Sequence, residues 1–199
     1  MKVADNYTGE ESEPTTEGTT RRDLSISMAA ANLYALLFFF PVALLGALYL
    51  LIWGDISFEF VASAGAGFSI ILVLAVIVAG IVVHELIHAI TWVYLGNKSW
   101  QSIKFGVIWK VLTPYAHLQE PIEIRAYRWA SAMPGILLGL LPSLIGIVTG
   151  VGPIMLFGLF FTFAAAGDTL ILWMTRGVES GKLVEDHPDR AGCYVLDAQ

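Results

Sequence analysis

The chain has 199 residues, of which 56% are hydrophobic and only 14% are charged, and its formal net charge is −6. Soluble globular domains average about 45–50% apolar and about 25% charged residues. This composition therefore excludes an ordinary soluble domain, a coiled coil and a disordered chain, and it indicates an integral membrane protein. The acidic balance argues against a nucleic-acid binder, which needs a basic face, and the single cysteine, Cys193, excludes an internal disulfide.

The first half of the chain contains a polar segment followed by two apolar runs. Residues 1–28 are rich in Thr, Glu and Gly and have no apolar periodicity, so we predict a disordered tail. Residues 29–53 and 68–95 are each long enough, as helices, to cross a hydrocarbon core about 30 Å thick. Residues 99–124 include apolar residues at every second position, which predicts a short β-hairpin-like segment between the second and third spans.

Two further apolar runs, residues 127–150 and 153–175, complete a predicted set of about four transmembrane helices. Residues 29–176 are thus predicted to form one α-helical integral membrane domain, and residues 177–199 a polar cytoplasmic tail. All eleven Lys and Arg residues precede the first span, lie between or flank the second and third, or follow the fourth. Because cytoplasmic loops carry the excess of Lys and Arg, this pattern predicts a multi-pass cell-membrane protein with both termini in the cytoplasm.

Apart from Arg128, which flanks the start of the third span, the charged or imidazole side chains within the predicted spans are His84, Glu85, His88 and Asp168. Such residues are costly in lipid and mark functional sites by default. His84 and His88 are four residues apart, so on a helix both imidazoles share one face and can bind one metal ion. With Glu85 between them they form the H-E-x-x-H pattern of zinc metalloproteases, in which the glutamate is the general base. The pattern predicts Zn²⁺ bound by His84 and His88, with Glu85 as the catalytic residue.

Asp168 is the favoured third ligand, because a catalytic zinc usually has three protein ligands and one open position. His88 lies eight residues before Gly96, and Asp168 lies eight residues before Arg176. Both are therefore expected at a similar depth, about 12 Å below the cytoplasmic surface. The alternative is that the Asp168 carboxylate only hydrogen-bonds a neighbouring helix.

The strand-like segment contributes the remaining candidates. His117 and Glu120 are the runners-up for the third metal ligand, since this segment could fold back into the helix bundle. His117, Tyr115 and Glu120 are also candidates for substrate binding, and His117 for stabilising an oxyanion. The alternative is that His117 is a polar loop residue with no role in the chemistry.

The chain resembles the DUF3267 family of zincin peptidases. The residues that carry the resemblance are His84-Glu85-Leu86-Ile87-His88-Ala89, Thr113-Pro114-Tyr115-Ala116-His117, Glu120-Pro121 and Ala166-Gly167-Asp168. The likeness covers roughly residues 82–176, and in wider architecture the chain is similar to the site-2 proteases. The resemblance implies that His84, His88 and Asp168 are the zinc ligands and Glu85 the catalytic base. Asp168 lacks the neighbouring Asn and Pro that site-2 proteases usually have beside this aspartate.

The sequence thus predicts a membrane-embedded zinc metalloendopeptidase that hydrolyses peptide bonds of a membrane or membrane-proximal protein. Its expected partners are the lipid bilayer and a protein or peptide substrate. One alternative is a non-hydrolytic metal-binding membrane protein, such as a transporter, a sensor or an inactive protease-like scaffold. Glu85 discriminates between the two, because peptide hydrolysis needs a base and a transport site does not. A third hypothesis, a structural protein whose polar residues only join helices, predicts no metal.

Overall fold

The computed structural model describes residues 12–14, 19–57, 65–109 and 113–198. It is mostly helical, and its helical segments follow the predicted spans closely. The segments are α1 (Met28–Ala35), a 3₁₀ turn (Leu36–Phe38), α2 (Phe39–Trp53), α3 (Ala66–Gly96), α4 (Ile124–Pro134), a π-helical turn (Gly135–Leu140), α5 (Leu141–Thr149), α6 (Gly152–Ala164) and α7 (Ala166–Thr175). A short 3₁₀ turn, Trp100–Ser102, follows α3.

Three helical runs in the described residues are long and apolar enough to cross a membrane: Met28–Trp53, Gly67–Gly96 and Ile124–Thr149. Helices α6 and α7 form a bent pair with an angle of 43°, and the count becomes four if this pair is one span. The runs expose large apolar side chains over most of their length; Phe40 and Leu51, for example, are 81% and 83% exposed.

Small residues let the last helices approach closely. A Cβ atom added to Gly158 of α6 would lie 2.3 Å from the backbone nitrogen of Ser143 in α5, and one added to Gly146 would lie 2.8 Å from Cα of Met155. Both separations are shorter than real Cβ contacts allow, so only glycine fits at these crossings. Gly146 and Gly158 therefore serve helix packing, whereas Gly150 ends α5 with φ of 73°.

A five-stranded antiparallel sheet joins sequence-distant parts of the chain. Its strands are β1 (Ser12–Pro14), β2 (Thr19–Ile26), β5 (Ile122–Glu123), β6 (Leu183–Asp186) and β7 (Ala191–Ala198), in the order β1-β2-β7-β6-β5. The register pairs Ile26 with Ala191 and Ile122 with Val184.

The sheet corrects two sequence predictions. Thr19–Ile26 is a strand rather than part of a disordered tail, while residues 1–11 and 15–18 lie outside the described residues. The predicted polar tail at residues 177–199 contains β6 and β7, whose inward-facing side chains Val184, Cys193 and Val195 are fully buried. These side chains pack with Ile122, Ile124 and Tyr127 in one apolar core. Sheet burial against the first turns of α4, rather than local polarity, determines the structure of both segments.

The predicted hairpin is present. Strands β3 (Ile103–Ile108) and β4 (Thr113–Leu118) pair antiparallel, with Lys104 opposite His117. Residues 110–112, which connect them in sequence, lie outside the described part of the chain. The hairpin and the sheet both lie at the end of the helices where α1 and α4 begin and where α3 and α7 end.

Candidate metal centre

Helix α3 carries the two histidines of the motif on one face. His84 and His88 are one turn apart, and their ring centroids are separated by 5.1 Å. Each residue is only 8% exposed. Apolar residues at most other positions give α3 its 31-residue length, so the histidines are held on a continuous helix rather than on a loop.

Asp168 meets these histidines from the first turn of α7, directly after the bend that separates α6 from α7. Its Oδ2 atom is 3.1 Å from Nε2 of His84, and its Oδ1 atom is 3.3 Å from Nε2 of His88. The three residues can each offer one ligand atom, and these atoms lie within 4.8 Å of one another. Among the described residues this cluster has the composition and spacing of a metal site.

The second ring nitrogen of His88 supports this assignment. Its Nδ1 atom is 2.9 Å from the backbone carbonyl oxygen of Ala130 in α4. A carbonyl only accepts, so Nδ1 carries a proton and Nε2 is the ring atom that faces a carboxylate oxygen of Asp168. This contact needs a positive charge, which is either a second ring proton on His88 or a metal ion bound by both residues. A bound divalent cation supplies that charge, and two imidazoles with one carboxylate are zinc-type ligands.

The Nδ1 atom of His84 is buried and has no hydrogen-bond partner in the described residues. Buried polar atoms are seldom left unpaired. If His84 binds a metal through Nε2, its ring proton is on Nδ1, and this N–H has no acceptor among the described residues, unlike Nδ1 of His88. The fit to a zinc ion rests instead on the donor set, in which two imidazole nitrogens and one carboxylate oxygen lie within 4.8 Å of one another.

Glu85 lies beside the cluster without belonging to it. The cluster consists of His84, His88 and Asp168, whereas the Glu85 carboxylate faces the backbone N–H of Ala116 in β4. Glu85 also lines the same cavity as the three ligand candidates. A carboxylate that is next to the metal ligands but not one of them is free to accept a proton.

The cavity around these residues has a volume of about 450 Å³. Its walls come from α1, α3, β4, α4, α6, α7 and the turn between β6 and β7. Such a volume lies within the range of about 300–1,000 Å³ that is usual for ligand-binding clefts. The hairpin and the sheet thus enclose a space that the helices alone would leave open.

The structure separates the three candidates for substrate binding. Tyr115 and His117 line the cavity. Glu120 is outside the cavity lining of the described residues; its side chain is 48% exposed, and one carboxylate oxygen is 3.8 Å from Nζ of Lys98. The geometry thus keeps Tyr115 and His117 near the metal cluster and gives Glu120 a surface ion pair.

Two cavity residues were not identified from the sequence. Asp186, at the end of β6, accepts a hydrogen bond from Nδ1 of His117 at 2.9 Å, and Tyr127 of α4 donates to its other oxygen at 2.9 Å. Asp186 was assigned to a polar tail and Tyr127 to the start of an apolar span. Local alternation was no guide to these strands, because Leu183 and Val184, like Val195 and Leu196, are consecutive apolar residues.

A protein-family model described as "Putative zincin peptidase", DUF3267, matches residues 76–182, which is more than half of the chain. The matched region includes His84, Glu85, His88 and Asp168 and ends shortly before Asp186. No curated protein and no solved structure matches the chain. With two histidines, an aspartate and a neighbouring glutamate gathered in the cavity, the matched region establishes that the chain belongs to the DUF3267 family.

Proposed function

We propose that the protein is a membrane-embedded zinc metalloendopeptidase with an architecture similar to that of the site-2 proteases. Its substrate would be a protein whose cleaved segment lies in or beside the membrane. The observation that carries the proposal is the convergence of His84, His88 and Asp168 in one cavity with Glu85.

Membrane embedding is supported by the exposed apolar surface. In the most apolar windows of Met28–Trp53 and Gly67–Gly96, only 6% and 11% of the residues are buried within the protein. Water strongly disfavours so large a contiguous apolar surface. A lipid bilayer is the solvent that accepts these helices.

The orientation follows from the basic residues. The described Lys and Arg residues all lie in or beside the sheet, the hairpin and the adjacent helix ends: Arg21, Arg22, Lys98, Lys104, Arg125, Arg128, Arg176, Lys182 and Arg190. Cytoplasmic segments carry such residues in excess. We therefore place the sheet, the hairpin and both termini in the cytoplasm, with the cavity opening toward that side.

In the proposed reaction, a zinc ion would be held by Nε2 of His84, Nε2 of His88 and a carboxylate oxygen of Asp168. When bound, zinc supplies Lewis-acid chemistry, because it polarises a carbonyl oxygen and acidifies water. Ala130 keeps His88 in the tautomer that presents a lone pair at Nε2.

Glu85 acts as the proton carrier. Its carboxylate accepts a proton from the attacking water and then delivers that proton to the amine nitrogen that leaves when the peptide C–N bond breaks. The substrate must be extended for this step, and β4, which lines the cavity from Pro114 to His117, offers a strand edge for pairing.

The test replaces only the proton carrier. We expect Glu85→Gln to retain zinc but to cleave fluorescein-labelled casein, an unfolded probe, at least about 100-fold more slowly than wild type. Peptide release from detergent-purified protein gives the rate, and mass spectrometry gives the zinc content. Glu179→Gln, the same change at an exposed residue outside the cavity lining, is the matched control and should cleave at the wild-type rate.

Two results would contradict the proposal. Equal cleavage by wild type and Glu85→Gln would exclude Glu85 as the base. A folded, zinc-loaded wild type that cleaves neither casein nor reconstituted membrane-helix substrates would favour the metal-binding alternative, in which the same ligands serve no hydrolysis.

A further inference from the structure

We propose that Asp186 is a positioning residue that fixes His117, and that His117 contacts the substrate's peptide oxygen through Nε2. This inference rests on the proposed peptidase function. It adds a second polar group to the cavity, and that group comes from β4 and the sheet rather than from the helices.

The two side chains meet where the hairpin and the sheet face each other. Nδ1 of His117 lies 2.9 Å from Oδ2 of Asp186, although the two residues are 69 positions apart in the sequence. Oδ1 of Asp186 accepts the hydroxyl hydrogen of Tyr127 at 2.9 Å. Both carboxylate oxygens are thus occupied, and the His117 ring is held in one orientation.

Helix α4 connects this pair to the metal cluster. Tyr127 and Ala130 are three residues apart, so they lie on the same helix face. Tyr127 binds Asp186, while the carbonyl of Ala130 binds Nδ1 of His88. One face of α4 therefore sets the orientation of a proposed zinc ligand and of the Asp186–His117 pair.

The bond to Asp186 also determines which atom of His117 remains for a ligand. A carboxylate accepts, so the Nδ1 atom of His117 carries a proton, and Nε2 is the ring atom left for a ligand by the contacts of the described residues. His117 lines the cavity together with Glu85, and the Glu85 carboxylate faces the amide of Ala116, its neighbour in β4. A substrate strand beside β4 would place a peptide group between Glu85 and His117.

Charged groups from three elements act on His117. The hydrogen bond to Asp186 raises the pKa of the imidazole, burial and Lys104 of β3 lower it, and Asp189 in the β6–β7 turn raises it; the net direction is upward. The raised pKa favours the imidazolium, whose Nε2–H donates to a carbonyl oxygen. This donor is present below the pKa of His117 and is lost as the pH rises through it.

The first measurement needs no substrate. The chain has only four histidines, so ¹⁵N-histidine NMR of the detergent-purified protein gives few signals. The signal that is missing from His117→Gln is assigned to His117. We expect Asp186→Asn, which keeps an acceptor for Nδ1 but removes the charge, to move the His117 titration midpoint to lower pH. Asp197→Asn, the same change in β7 beside Lys182, should leave the midpoint unchanged.

The second measurement is casein cleavage as a function of pH. We expect Asp186→Asn to retain zinc and to lower kcat/KM about tenfold at neutral pH, with its alkaline limb displaced to lower pH. In His117→Gln the side-chain amide still donates a hydrogen bond but does not titrate, so the alkaline limb of the pH profile should disappear. Cys193 is fully buried, so its protection from maleimide reports that each variant is folded.

Each outcome is decisive. An unchanged His117 midpoint in Asp186→Asn overturns the positioning role. A shifted midpoint with an unchanged cleavage profile overturns the substrate contact. A wild type that binds no zinc and cleaves nothing overturns both the peptidase function and the substrate contact. If Asp186→Asn still shifts the titration midpoint of His117 in that case, Asp186 remains a positioning residue.

Discussion

The two ring nitrogens of His88 are assigned to different partners. Nδ1 bonds to the carbonyl of Ala130 and Nε2 faces Asp168. The ring also stacks on Trp92, with centroids 5.9 Å apart. Because packing and the backbone both hold the ring, its Nε2 lone pair is oriented before any ion arrives.

Removing any one ligand should therefore empty the site. We expect about one zinc ion per chain in wild type and less than about a tenth of one in His84→Ala, His88→Ala or Asp168→Ala. Elemental analysis of the detergent-purified protein gives the ratio. His187→Ala is the matched control, since His187 lines the cavity but bonds to Tyr194. If Asp168→Ala retained zinc and His117→Ala lost it, the third ligand would be His117 of β4 rather than Asp168.

The site residues that could be predicted were those identified by their spacing along a helix and by their distance from the helix end. The four-residue interval places His84 and His88 on one helix face, and equal distances from the helix ends bring Asp168 to the same level. Asp186 could not be found in this way, because its role arises from strand pairing between β6 and β7. The sequence around a polar residue in a short strand does not indicate which side chains that residue will contact.

Glycine contacts fix the spacing of α5 and α6. We expect Gly158→Ala to destabilise the protein by about 1–3 kcal/mol, because the added methyl group meets the backbone of Ser143. Thermal unfolding in detergent measures the loss. Gly67→Ala, a helical glycine with no atom within 4 Å of the added Cβ, should be neutral or slightly stabilising. An equal response at both positions would mean that the α5–α6 contact carries no packing constraint.

The helices were predictable because each apolar run is long and needs no distant partner. The sheet was not, because neither long strand alternates strictly: β2 has the consecutive charged residues Arg21, Arg22 and Asp23, and β7 has the consecutive apolar residues Val195 and Leu196. Strand β2 acquires its structure from pairing with residues 191–198. Propensity is a weak guide where pairing and burial decide the structure.

At the scale of the whole molecule, the fold has two unlike ends. Tyr49 and Trp53 donate hydrogen bonds to backbone carbonyls of Gly150 and Ile147, which ties α2 to α5 at the end opposite the sheet. That end carries no Lys or Arg among the described residues. The basic residues gather instead around the sheet and the hairpin.

This asymmetry predicts the topology. We expect Asp55→Cys to react with a membrane-impermeant maleimide in intact cells, and Glu179→Cys to react only after permeabilisation. The unmodified chain is the blank, because burial raises the pKa of Cys193 to about 12 and shields its thiol. Labelling of both new cysteines from the same side would contradict the four-span arrangement.

The pairing of β2 with β7 also affects when the protein becomes functional. Ser25, at the end of β2, bonds to Arg190, which is 165 residues further along the chain. At about 5–20 residues per second, a ribosome needs roughly 8–33 s to make that interval. His84, Glu85, His88 and Asp168 are all synthesised before the β6–β7 turn that lines the cavity. The nascent chain therefore carries an incomplete cleft, and any hydrolysis at the proposed zinc site must wait until β7 has been made and has paired with β2.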